Sequence, residues 1–105
     1  MNIQQMMKQA QQMQRKIQEN QNKLESTEFE GVSGNGFVKI KSMGNRKVKS
    51  ISIDNSLLNI EEKDILEDLL IVAFNDLNDK ISKAGNDSMN DATGGLNLNN
   101  MKLPF

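Results

Sequence analysis

The chain has no cysteine and no histidine. Without cysteine there is no disulfide, thiolate metal site or cysteine nucleophile, and the composition suits a reducing compartment. Without histidine the usual zinc ligand, the imidazole general base and any Ser-His-Asp arrangement are lost together. Tryptophan and tyrosine are missing as well, which leaves Phe29, Phe37, Phe74 and Phe105 as the only aromatics available to line a pocket. Carboxylate and lysine chemistry survives in principle, but no catalytic, metal-binding or cofactor-binding set emerges, and a non-enzyme is expected. The N-terminus is polar from Gln4 onward, without the apolar region of a signal peptide, and no apolar run nears the ~20 residues of a membrane span. A soluble, cytoplasmic protein with no membrane partner is therefore expected, and 105 residues suit a single domain with one core.

What is present is unevenly distributed. The net charge of -1 conceals a basic half and an acidic half. Residues 1 to 53 hold nine of the thirteen Lys and Arg against four Glu, a net +5, and residues 54 to 105 hold four Lys against ten acids, a net -6. Local potential, not the total, decides what docks, so a polyanionic partner remains open to the N-terminal half.

The richest apolar stretch is Ile60 to Ala84. Leu66, Leu69, Leu70, Ala73, Leu77, Ile81 and Ala84 recur at helical spacing and define one face of a long core helix. Ile65, Ile71, Val72 and Phe74 spill around its sides, leaving its middle apolar over most of its circumference. Burial on two sides is implied, by the protein's own sheet and by a second element, for which another copy of the chain is a candidate. Leu69, Leu70, Ile71, Val72, Phe74 and Leu77 are the residues assigned to that dimer interface. Asn59 and Glu62 form a capping-box pattern at the start of the helix, and Gly85 marks its expected end. Asp64, Glu67 and Asp68 fit the favourable field at a helix N-terminus better than a metal site.

Residues 2 to 25 read as a second long helix, free of Gly and Pro. Ile3, Ala10, Ile17 and Leu24 occupy one seam position of a heptad, and Met6, Met13 and Asn20 the other. Residues 1 to 12 are expected to project as an arm, while 13 to 25 fit either the arm or a helix lying on the protein's own sheet. Lys8, Arg15, Lys16 and Lys23 lie along one flank away from the seam. That flank reads as a phosphate-binding track or as an ordinary solvated face.

Between the helices come three short strand signals, Thr27 to Val32, Phe37 to Met43 and Lys47 to Ile53. Gly34-Asn35-Gly36 lacks both the following helix and the Gly-Lys-Ser/Thr of a phosphate loop, so it reads as a turn. The apolar parity of the third strand switches near Ser50, which predicts a bulge or strong twist. Lys39, Lys41, Arg46 and Lys47 cluster on this hairpin, where protection of a sheet edge and partner binding are both sufficient reasons for them. Beyond Gly85 the chain turns Asn- and Gly-rich, as expected of a mobile tail, with Leu96, Leu98, Met101, Leu103 and Phe105 available to dock. The expected plan is α+β: residues 1–84 form one α-β-β-β-α domain with an antiparallel sheet, and 85–105 a flexible tail.

The residues in this order resemble the YbaB/EbfC family of bacterial nucleoid-associated proteins. The matching pieces are Met6 to Ala10 with Met13-Gln14, Glu30 to Ile40, Ile51 to Asp54 followed by Leu57-Leu58, Leu66 to Leu70 with Ala73 to Asp76, and Thr93 to Leu96. Asn55 stands where the family often has proline, and Asn35 interrupts a glycine run. The resemblance implies a nucleoid-located homodimer with paired helical arms that binds duplex DNA without catalysis. Phosphate contacts would dominate, with shaping of the chromosome as the outcome. Lys8, Arg15, Lys16 and Lys23 are the leading DNA-binding candidates, and Lys39, Lys41, Arg46 and Lys47 come second. The competing reading is an interaction module that assists a DNA repair or replication protein through the methionine-rich helix.

Overall fold

A computed structural model describes residues 2–92. Helix α1 spans Ile3–Glu25, followed by strands β1 (Glu28–Ser33), β2 (Val38–Met43) and β3 (Val48–Ile53), and by helix α2 (Lys63–Ala92). The strands form one antiparallel sheet in sequential order, and α2 crosses the face formed by β1 and β2.

Local chemistry explains where the elements begin and end. The Asn2 side chain accepts a hydrogen bond from the Gln5 amide at 2.8 Å and caps α1, which at 23 residues is roughly 35 Å long. Thr27 Oγ1 donates to the Lys23 carbonyl at 2.6 Å, closing the helix and turning the chain into β1. Gly34, Asn35 and Gly36 all have positive φ (38°, 36° and 90°), which is why two glycines and an asparagine make this turn. Asn59 accepts from the Glu62 amide at 2.9 Å, as the capping pattern anticipates, and one 3-10 turn precedes α2.

The core gathers Val38 and Ile40 of β2, Leu57, and Ala73, Leu77 and Ile81 of α2, flanked by Phe29, Ile53, Leu66, Leu69 and Leu70. On β2 the buried residues alternate with outward Lys39 and Lys41, as the strand pattern requires. The expected bulge is present: pairing steps from Lys41↔Ser50 to Ser42↔Val48, which leaves Lys49 as the extra residue.

Two features depart from the sequence reading. Helix α2 does not stop at Gly85; residues 85–92, expected to belong to the tail, form its last two turns. Glycine in a helix interior costs only ~1 kcal/mol, and packing of these turns against α1 offsets it. The rest of the expected tail, 93–105, lies outside the described residues. Gly31, expected only as one residue of the Thr27 to Val32 strand, proves to mark the place in β1 where α2 comes close. A Cβ there would lie 2.2 Å from the Ala73 carbonyl oxygen and 2.6 Å from Leu77 Cβ.

Helix α2 also protects the outer edge of β1. Asp76 Oδ2 accepts from the Val32 amide at 2.9 Å, and Lys80 Nζ donates to the Glu30 carbonyl at 2.8 Å while pairing with Asp76 at 2.9 Å. Both backbone groups belong to an edge strand, so these side chains occupy positions a further strand would use. Lys80, and then the Val32 amide, hold the Asp76 carboxyl below its ordinary value of 3.8.

Two tests follow from this packing. Gly31→Ala forces backbone against backbone and should lower stability by roughly 3 kcal/mol or more, whereas Gly85→Ala meets only Leu24 Cδ2 at 3.6 Å and should raise it by about 0.5–1 kcal/mol, both read from urea midpoints. Because the native Asp76 pKa is depressed, its contribution exists above pH 3.8 and is lost as pH falls through the lower native value. The Tm deficit of Asp76→Asn against the parent should therefore be present at pH 7 and close progressively below pH 4.

Candidate nucleic-acid interface

Helix α1 divides into two parts by what it touches. Its C-terminal part lies antiparallel to the end of α2: Leu24 meets Gly85, Asn20 meets Ser88 and Lys16 meets Asp91. Asn20 Nδ2 donates to the Ser88 carbonyl at 3.0 Å and to Asp91 Oδ2 at 3.2 Å, so the polar interruption of the heptad is a specific contact with α2. A cleft of about 430 Å³ opens beside it, lined in part by Lys23, Leu24, Phe29, Asp87 and Asp91. Residues 2–16, which include the stretch expected to project as an arm, are exposed on every side.

The basic flank of α1 is not uniform. Lys8 and Arg15 share the heptad position opposite the seam, are exposed, and make no ion pair among the described residues. Lys16 pairs with Asp91 at 3.7 Å, and Lys23 borders the cleft that holds Asp87 and Asp91. The Lys16 pair is exposed and contributes little to stability, but it places negative charge beside a candidate phosphate contact. Lys8 and Arg15 are thus the freest cations of the arm.

On the hairpin, Lys39 and Lys41 stand on the sheet face away from α2, opposite Ser52 and Ser50 on one side and Val32 and Glu30 on the other. Lys49 completes this surface but is held by Glu28 Oε2 at 3.1 Å. Arg46, in the left-handed region at φ 70°, points its guanidinium at the Asn78 side chain of α2, so it braces the hairpin. Lys47 is exposed. The eight candidate cations therefore do not form one patch: four follow the arm and the others mark the hairpin and the outer face of the sheet.

The side of the protomer near β3 is apolar. Helix α2 leaves β3 largely uncovered, with Val48 and Ile51 about half exposed. Ile71 (59% exposed) and Phe74 (37% exposed) lie on the α2 flank that carries Asn78 and so overlook the same strand. Val72 and Ile65 are exposed on the opposite flank, and Leu58 and Ile60, the latter 93% exposed, add to the apolar surface ahead of α2. Of the residues assigned to a dimer interface, Leu69 and Leu70 are half-buried against the core, and Leu77, at 3%, is enclosed by the protomer's own sheet. The sequence reading missed Val48, Ile51, Leu58 and Ile60, although the parity switch in β3 was a usable signal.

Among the described residues no three His, Cys, Asp or Glu side chains converge as a metal site, and no helix is long and apolar enough to cross a membrane. The described residues thus give a helix, a three-stranded sheet and a second helix, with exposed cations along an extended arm. Residues 1–96 match the YbaB/EbfC DNA-binding family, and the chain belongs to that family. Its relatives include a nucleoid-associated protein of Rickettsia bellii, 44% identical over 106 aligned residues that cover 100% of this chain and 99% of that one. A nucleoid-associated protein of Hahella chejuensis is 46% identical over 105 residues, covering 99% and 96% of the two chains. The crystal structure of an uncharacterized Helicobacter pylori protein superposes with a TM-score of 0.64 at 26% identity, over 91% of this chain and 98% of that one.

If the free cations of the arm carry the contact, Lys8→Gln with Arg15→Gln should weaken binding to duplexes of any sequence and make the log-log salt slope about 2 units shallower per protomer, by titration at several salt concentrations. Lys49→Gln, which removes a lysine already paired with Glu28, should change the slope by less than about half a unit per protomer.

Proposed function

We propose that the protein is a nucleoid-associated homodimer that binds duplex DNA mainly through phosphate contacts and shapes the chromosome. The observation that carries the reading is the pairing of an exposed basic arm with an apolar surface that a single protomer does not cover. Family membership supplies DNA as the class of partner. Ile71 and Phe74, with Leu69 and Leu70 behind them, form the part of the self-association surface that β3 extends, and Val72 contributes from the opposite flank of α2. Pairing two copies doubles the arms and lets one duplex meet phosphate-binding groups from both. With only two arginines in the chain, base reading is a minor element and backbone geometry the major one. Lys8, Arg15, Lys16 and Lys23 are the primary contacts and Lys39, Lys41 and Lys47 secondary ones, with Arg46 bound mainly to its own hairpin. The site of action is the nucleoid, and the activity is binding, not catalysis.

A second reading rests on a separate observation. Ile3, Met6, Met7 and Met13 are exposed along the arm, and adaptable methionine surfaces suit helical partners such as a DNA repair or replication factor.

Sizing with light scattering and a salt-dependent gel shift test both. The parent protein should run at twice its 11.8 kDa mass, and Ile71→Lys with Phe74→Lys at the mass of one chain. Purified protein alone should retard duplex DNA with a log-log salt slope of roughly -7, about eight phosphate contacts per dimer. Retardation that requires a second protein would instead favour the interaction module.

A further inference from the structure

The methionine stripe of the arm is a continuation of a contact the protein already makes. Heptad positions Ile17, Asn20 and Leu24 are covered by Gly85, Ser88, Met89 and Ala92 of α2, and the next positions along the same seam are Met13, Ala10, Met6 and Ile3. These four, with Met7 beside them, are exposed, Ile3 at 74%. Among the described residues the cover reaches Ala92, whereas the seam runs on to Ile3.

We infer that the chain's own residues 96–105 dock along this stripe and complete the cover. Direction favours them: α2 runs antiparallel to α1, so the chain leaving Ala92 is already heading toward Ile3. Length is sufficient too. The uncovered seam from Met13 to Ile3 is roughly 15 Å at the helical rise, and residues 93–103 reach about 16 Å even if wound as a helix and farther if extended. Composition agrees, because Leu96, Leu98, Met101, Leu103 and Phe105 supply large apolar groups, and Lys102 is the only charged side chain beyond Asp91. Burial of apolar side chains on both partners is the driving force.

A second copy of the arm fits less well. Residues 2–18 carry Lys8, Arg15 and Lys16 and no acid, so two such arms laid together would form no ion pair across the contact. Full-length pairing of two α1 helices is also blocked, because Asn20 is bound to the end of α2. The tail is free of that block. Docked on the seam, it leaves Lys8 and Arg15 on the opposite side of the helix.

The absence of cysteine makes the test direct. Asn100→Cys is labelled with a nitroxide in the full-length protein carrying isotope-labelled methionine methyl groups. Met6 and Met13 signals should lose most of their intensity, Met43 on the sheet should keep its own, and reduction of the nitroxide should restore the losses. Adding Leu96→Ser, Leu98→Ser and Leu103→Ser should abolish the broadening without altering Met43. Undiminished Met6 and Met13 signals, or broadening centred on Met43, would overturn the assignment. Nitroxide-bearing protein without isotope is then mixed with cysteine-free labelled protein. Loss of the effect in this mixture supports docking within one chain; its persistence would place another copy's tail, or arm, on the stripe and refute the inference.

Discussion

Helix α2 has more apolar circumference than three short strands can cover, and the remaining features of the protomer follow from how that excess is placed. Ala73, Leu77 and Ile81 lie on the sheet, and the approach is close enough that β1 carries glycine at position 31. With α2 drawn over β1 and β2, its hydrophilic flank residues Asp76 and Lys80 reach the backbone of the β1 edge and occupy it. The opposite edge gets no such cover. β3 keeps exposed Val48 and Ile51 beneath the flank bearing Ile71 and Phe74, so these uncovered groups of helix and sheet fall on the same side, while Val72 and Ile65 stay on the opposite flank. A second protomer docked there would bury both sets at once, whereas a longer sheet would cover only one.

Elements with a strong period were legible in the sequence. The two helices, the alternation of Val38 and Ile40 with Lys39 and Lys41, and the bulge in β3 each announce themselves through spacing alone. What was not legible depends on contacts between distant residues. Gly85 looks like a helix stop because propensity favours that reading, but α1 packs beside it and the helix continues. Spacing also does not show that Gly31 in β1 and Gly44 in the hairpin turn are close approaches, Gly44 with a would-be Cβ 2.0 Å from the Leu24 carbonyl oxygen. Leu77 belongs both to the expected core face and to the expected interface, and spacing does not tell which side of a helix its own sheet will take; here the sheet takes it.

The candidate interface was legible as a set of cations and not as a surface. Periodicity placed Lys8, Arg15, Lys16 and Lys23 on one flank, and all four are exposed there. It could not show that the acids of α2's last turns come to lie beside two of them, because that follows from the continuation of α2 past Gly85. The acidic half of the chain thus has a local consequence: it offsets the root of the arm and leaves the distal cations unpaired. Lys8 and Arg15 therefore stand without a neighbouring acid on the part of α1 farthest from the core.

Asn20 connects these points. In an isolated coiled coil a seam asparagine selects register at some cost in stability. Here it donates to the Ser88 carbonyl and to Asp91, so the register it selects is that of α1 against α2. Sliding α1 by one heptad would bring Met13 opposite that carbonyl in one direction and Thr27 in the other. Met13 offers a thioether, which donates no hydrogen bond, and Thr27 lies beyond the helix with its hydroxyl already given to the Lys23 carbonyl. Neither replaces the amide donors. The polar interruption therefore fixes how far the arm projects, and with it the distance of Lys8 and Arg15 from the core.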